Sequence, residues 1–201
     1  MGLARQGDLF AQSPLEQTWG CAQQPQLPLL AEQLQQWQLR LAAHQGPLFR
    51  GEAPLSQQQS LLGSALASYS DAEQFNPLAL QPQPLTFWRW PQAPVCGAAL
   101  YVVLDRPAGL EQPLLLYVGE TARAEQRWKG EHDCKAYLAA YGDALQKAGL
   151  STRLSIGFWS DVPQQTRPRR ALEQALIRRW LPPFNKETRS RWATPFQAEP
   201  T

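Results

Sequence analysis

The chain has 201 residues, 43% of them hydrophobic and 18% charged, with a formal net charge of +2. That length suits one packed domain plus a sizeable extension, and the composition excludes a wholly disordered chain. No apolar run reaches the ~20 residues that cross a bilayer, the N-terminal MGLARQ lacks a secretory core, and Cys21, Cys96 and Cys134 form no CxxC pair; the expectation is a soluble, cytoplasmic protein with reduced thiols.

Residues 1–26 mix Gly, Pro and polar side chains without periodicity, and read as a flexible tail. Residues 27–94 read as an N-terminal extension, mainly helical and then rich in proline and aromatics. Within it, Leu30, Leu34, Trp37 and Leu41 recur at helical intervals over 27–44. A second helix is expected over Ser56–Tyr69, with Ser56 capping its first turn. The stretch 76–94 predicts an extended segment laid along the domain that follows, with Phe87, Trp88 and Trp90 buried.

From Val95 the pattern changes, and 95–192 reads as a domain followed by a short tail, 193–201. Ala98–Leu104 and Pro113–Val118 carry the β-branched and aromatic residues of strands, and Asp105–Gly109 between them has turn chemistry, so a hairpin is expected. A short helix through Arg127 and Trp128 and a longer one over Cys134–Ala148 follow, the latter closed by Gly149. Arg153–Trp159 alternates as a third strand. Thr166 opens a last helix, with Pro168 in its first turn, that stops before Pro182-Pro183. The fold class expected is α+β: a small three-stranded antiparallel sheet flanked by helices.

Charge is unevenly placed. Residues 167–191 hold eight basic and two acidic side chains, which can draw in a polyanion while the molecule stays near neutral.

Five short motifs now stand in order: Ala99-Leu100-Tyr101; Tyr117-Val118-Gly119; Arg127 in a helix with His132 shortly after; Glu173 in LEQALI; and Asn185 in PPFN. Together they resemble the GIY-YIG nuclease superfamily over residues 97–190, about half the chain. The resemblance implies an endonuclease, a hydrolase acting on the phosphodiester bonds of DNA in repair or recombination, with Mg²⁺ or Mn²⁺ as cofactor. It implies Glu173 as metal ligand and Tyr101, Tyr117, Arg127 and His132 as further catalytic residues. In the family a tyrosine at the position of Tyr101 is thought to take the proton of the attacking water; a free phenol titrates near ~10, so a neighbour must tune it.

The chemistry asks for such a set. A guanidinium fork such as that of Arg127 suits phosphate, and a carboxylate can hold one hard cation while leaving sites for water and phosphate. Lys129, Arg178, Arg179, Asn185, Lys186 and Arg189 are candidates for DNA contact, most of them through charge. Alone, Glu173 would read as a helix glutamate paired with Arg169 or Arg170, and Tyr117, more than Tyr101, as a packing residue. Glu120, directly after the Tyr-Val-Gly motif, has no evident use near a phosphate. A non-catalytic DNA- or clamp-binding module retaining the nuclease fold is the alternative.

The N-terminal tail contains Gln6-Gly7-Asp8-Leu9-Phe10, which resembles the peptide that docks on the bacterial DNA polymerase sliding clamp. There Gln6 and Asp8 would supply the polar contacts, and Leu9 and Phe10 would fill an apolar pocket. Gln45-Gly46-Pro47-Leu48-Phe49 is a looser echo, read as chance.

Overall fold

Two runs of β-branched and aromatic residues flank the Asp105–Gly109 turn and pair as a hairpin, β1 (Ala99–Asp105) antiparallel to β2 (Leu114–Thr121). The structure, a computed structural model, describes residues 31–52, 71–130 and 133–196. In it β3 (Ser155–Trp159) pairs antiparallel with the other side of β1, giving the order β2-β1-β3. The helices are α1 (Ala31–Phe49), α2 (Ala124–Arg127), α3 (Asp133–Lys147) and α4 (Thr166–Trp180). The fold is α+β, a three-stranded antiparallel sheet flanked by helices.

Every residue of β1 is buried, because both faces of the sheet are covered. Alternation along the strand divides the core in two. Tyr101, Val103 and Ile156 meet Leu34, Trp37 and Leu41 of α1 and Leu138, Tyr141 and Leu145 of α3. On the opposite face, Leu100, Val102, Leu115 and Val118 meet Leu172, Leu176, Ile177 and Trp180 of α4. Helix α1 is therefore part of the main core, and packing runs across residue 94. The Trp37 ring lies 5.7 Å from Tyr141 and 6.3 Å from Phe184.

Helix α1 continues through Pro47 to Phe49, past the end at His44 that the sequence suggests. An interior proline costs ~3 kcal/mol or more. Tertiary contacts oppose that cost: Gln45 is wholly buried and bonds the backbone of Leu115 and Trp180, and Phe49 packs on Trp180 at 4.7 Å. These contacts also remove Gln45–Phe49 from any role as a free docking peptide.

Both outer edges of the sheet are occupied. Along β2, Gln45 bonds both backbone groups of Leu115, Asn185 bonds both of Val118, Phe184 N–H donates to Leu116 O, and Glu173 accepts from Glu120 N–H. Along β3, Gln83 and Ile156 exchange two backbone bonds, of 2.8 and 2.9 Å. The segment 76–94 thus lies against the sheet. Gly157 permits this approach, since a Cβ there would stand 2.8 Å from Leu80 Cβ.

The expectation for the tryptophans needs correction. Phe87 is buried, but Trp88 and Trp90 are 36% and 45% exposed. A 3-10 turn over Phe87–Arg89 sends the first ring inward and the next two outward. The tail 1–26, including Gln6, Asp8, Leu9 and Phe10, and the helix expected over 56–69 lie outside the described residues. Among the described residues no helix is long and apolar enough to cross a membrane.

Candidate active site

Tyr101 and Tyr117 come from paired strands and share one face, because Tyr101 opposes Gly119 and Tyr117 opposes Val103. Their ring centroids are 5.9 Å apart, and their hydroxyls are hydrogen-bonded to each other. Gly119 makes the pair possible. A Cβ at 119 would lie 2.8 Å from Tyr117 Cε1 and would overlap the Tyr101 phenol.

Helix α2 brings Arg127 to this pair. Its Nε–H donates to the Tyr101 hydroxyl at 3.0 Å, and its side chain also bonds Tyr117. Trp128, the next residue, is buried with its ring 6.0 Å from Tyr101. The Cys134 thiol, which is in no disulfide, is buried close by and affects both phenols.

The two tyrosines differ in exposure. Tyr101 is fully buried, a support beneath the surface, whereas Tyr117 is half-buried and reaches the solvent side. Burial pushes the Tyr101 phenol well above its ordinary range and the Tyr117 phenol adds to this, while the Arg127 charge opposes both. Burial likewise pushes Tyr117 up to about 12, aided by Cys134 and, less strongly, by the Glu173 carboxylate. Both phenols therefore hold their protons at neutral pH. The tuning toward a base that the family resemblance implies for Tyr101 is not provided by Arg127 alone.

Glu173 sits on α4 at the outer edge of β2, where its Oε1 accepts the Glu120 N–H at 3.0 Å. Its carboxyl is pushed up to about 7, first by burial and next by the Glu120 charge; Glu187 adds to this and the Arg170 charge opposes it. The pairing of Glu173 with Arg169 or Arg170, its plain structural reading, is not what forms. Glu120 takes both arginines, Arg169 Nε at 2.9 Å and Arg170 Nε at 3.2 Å. Arg169 is wholly buried and also donates to the carbonyls of Pro163 and Gln164. Glu120 thus has a task that the sequence did not disclose: it anchors α4 to β2, and its charge helps raise the Glu173 carboxyl.

That environment fits a divalent cation. A carboxyl held high by burial and a like charge gains most from a positive ion, and Glu173 would hold it. Among the described residues no cluster of three His, Cys, Asp or Glu ligands occurs. A cation at Glu173 would draw its remaining ligands from water and phosphate, the habit of Mg²⁺.

The other candidates separate. Asn185 is buried, and both ends of its amide bond the Val118 backbone at 2.9 and 2.8 Å, so it clamps β2 from within the fold. Leu181, left-handed at φ 47°, turns the chain out of α4 so that the clamp can form. Arg189 is also engaged internally, donating to the Tyr137 hydroxyl at 2.7 Å with its guanidinium 4.1 Å from the ring centre. Lys129, Arg178 and Lys186 are solvent-exposed. Arg179 is half-buried, and His44 Nε2 lies 3.2 Å from its carbonyl oxygen. His132 lies outside the described residues.

Comparison with protein families, with curated proteins and with solved structures returned no match to this chain.

Proposed function

We propose that the protein is a divalent-metal-dependent DNA endonuclease of the GIY-YIG type, working in DNA repair or recombination. One observation carries this reading: Arg127 meets the Tyr101–Tyr117 pair on one face of the hairpin, and the Glu173 carboxyl lies at the adjoining outer edge of β2. Tyr117 is electrostatically coupled to both Arg127 and Glu173. The order of the motifs along the chain supports the same reading.

Each side chain has a distinct task. Arg127, fixed by two phenols, pairs with a phosphate oxygen and offsets charge that grows in the transition state. Tyr117, a proton donor at neutral pH, hydrogen-bonds a phosphoryl oxygen or holds the attacking water. Tyr101 positions Arg127 and Tyr117 from below. Glu173 would hold Mg²⁺ or Mn²⁺, which would supply positive charge to acidify a water and screen the phosphate. Lys129 and Lys186 add affinity through the DNA backbone that weakens with salt.

The test is cleavage of flapped, branched, mismatched and single-stranded DNA by the full chain with Mg²⁺ or Mn²⁺. Glu173→Ala is expected to lower cleavage by about a thousandfold or more, on the scale of losing a principal electrostatic group, with DNA affinity largely kept. Cleavage by Glu173→Ala at the wild-type rate would remove Glu173 from the reaction.

The Gln6–Phe10 peptide extends the proposal, tethering the enzyme to the bacterial sliding clamp and raising its concentration at DNA. Deleting residues 1–12 is expected to abolish capture by immobilised clamp. Unchanged capture would dismiss the tether.

A further inference from the structure

The β1–β2 loop and the segment joining α3 to β3 enclose a cavity of about 610 Å³ at the end of β1 away from Glu173. Cavities of roughly 300–1,000 Å³ are the ones that take small ligands. Arg106, Pro107, Leu110 and Pro113 line it from the loop, and Ser151 and Arg153 from the segment. At ~3.4 Å per strand residue, about 14 Å of β1 separates Asp105, where the loop begins, from Tyr101. One phosphate cannot touch both places.

The walls are fixed before any ligand arrives. The buried Asp105 carboxylate accepts from the Thr152 hydroxyl at 2.7 Å and from the Arg153 N–H at 2.8 Å. The second wall is thereby tied to the residue at which the first begins. Pro107 and Pro113 lock their own φ angles in the loop, and Leu110 N–H donates to Pro107 O at 3.2 Å. Preformed walls spare a ligand the cost of ordering them.

The charges on these walls favour an anion. Arg106 is half-buried, and its Nη1 lies 3.5 Å from Ser155 Oγ, a long hydrogen bond. Arg153 is exposed and commits its backbone N–H, not its guanidinium, to Asp105. Neither guanidinium enters an ion pair among the described residues. Glu111, the one carboxylate in the lining, is exposed and close enough to Arg50 for their charges to interact.

The number of donors selects the kind of anion. A carboxylate is saturated by a single guanidinium fork, whereas the three terminal oxygens of a phosphomonoester accept from two. Inorganic phosphate would leave most of the volume empty. Pro107, Leu110 and Pro113 offer an apolar wall to a carbon-bearing body.

We propose that this cavity is a second binding site, for a phosphomonoester joined to a ring-sized body, with Arg106 and Arg153 holding the phosphate. A free mononucleotide and the 5′-phosphate end of a DNA strand share that chemistry. The site does not depend on the nuclease reading, whose residues do not line this cavity.

The experiment is calorimetric titration of the full chain without divalent metal, so that DNA is not consumed. Thymidine 5′-monophosphate is expected to bind at least about tenfold more tightly than thymidine, inorganic phosphate or benzoate, since each of these lacks one half of the match. Arg106→Ala and Arg153→Ala are each expected to weaken the nucleotide about tenfold or more, the scale of a charged hydrogen bond. Arg153→Ala should leave Tm nearly unchanged, because the Arg153 N–H bond to Asp105 is kept. Any of the three controls bound as tightly as the nucleotide, or both variants binding it like wild type, would overturn the site.

Oligothymidylate with and without a 5′-phosphate identifies the source of the group. A preference for the phosphorylated strand that both variants erase supports the site and assigns it to DNA ends. No such preference, with the mononucleotide still bound through both arginines, supports the site and assigns it to free nucleotides. Glu173→Gln is expected to leave mononucleotide binding unchanged; loss of that binding would move the nucleotide to the other end of β1 and end this proposal. A chain that cuts no DNA yet binds thymidine monophosphate through Arg106 and Arg153 keeps the second site and ends the nuclease reading.

Discussion

The two ends of β1 carry opposite kinds of polar cluster. At the far end, Asp105 is wholly buried, yet its carboxylate accepts from the Tyr141 hydroxyl at 2.7 Å, the Thr152 hydroxyl at 2.7 Å and the Arg153 N–H at 2.8 Å. Gln38 in turn donates to Tyr141. At the near end, Glu173 accepts one backbone N–H and faces a second carboxylate. A buried carboxylate with three donors is satisfied and fixes structure. One that is short of donors and beside a like charge is primed for an outside cation or proton, as functional groups tend to be. Charge in the interior is therefore a poor guide to function unless the donors around it are counted.

Asp105→Ala breaks the contrast at its stable end and has the larger effect on folding. It leaves the Tyr141 hydroxyl and its neighbours unmet, at a cost of about 3 kcal/mol or more. Thermal unfolding should shift down by roughly 6–12 °C for a chain of this size. A shift below about 1 °C would mean that the saturated cluster contributes little.

Glu173→Gln sharpens the other end and has the smaller effect. The folded-state carboxyl of Glu173 titrates at about 7, above its ordinary 4.5, so the native state binds more protons between those values. Stability therefore falls as pH rises through that window, and the burden is complete above it. Gln keeps an oxygen for the Glu120 N–H and removes the charge. Discounted for partial exposure, the gain at pH 8 is about 1 kcal/mol, a rise of roughly 2–4 °C in Tm. At pH 4 the two proteins should melt together. A variant that melts lower than wild type at pH 8 would show that the Glu173 charge is already compensated.

The strands, the β1–β2 hairpin and the last two helices were legible in the sequence, because local periodicity, the Asp105–Gly109 turn and Pro182-Pro183 all act over a few residues; the place of β3 beside β1 was not. The candidate site was legible in part. Tyr101, Tyr117, Arg127 and Glu173 could be named, but not which phenol lies beneath the other, since that depends on how α2 and Trp128 cover the β1–β2 face. Gln45, Arg169 and Asn185 gave no warning of their tasks. Each acts across a long separation in sequence, and a buried glutamine or asparagine bonding a strand edge looks, as sequence, like any polar residue. Trp88 and Trp90 misled for the converse reason: aromatic character predicts burial, and only the turn at Phe87–Arg89 decides which ring receives it.

The capped margins of the sheet carry one more consequence. A three-stranded sheet with bare flanks would offer its amides to any passing extended chain and invite stacking into fibrils. Here a newcomer alongside β2 meets hydrogen-bonding partners already taken by Gln45, Phe184, Asn185 and Glu173, and alongside β3 it meets Gln83. Growth by strand addition is opposed at these positions on both sides.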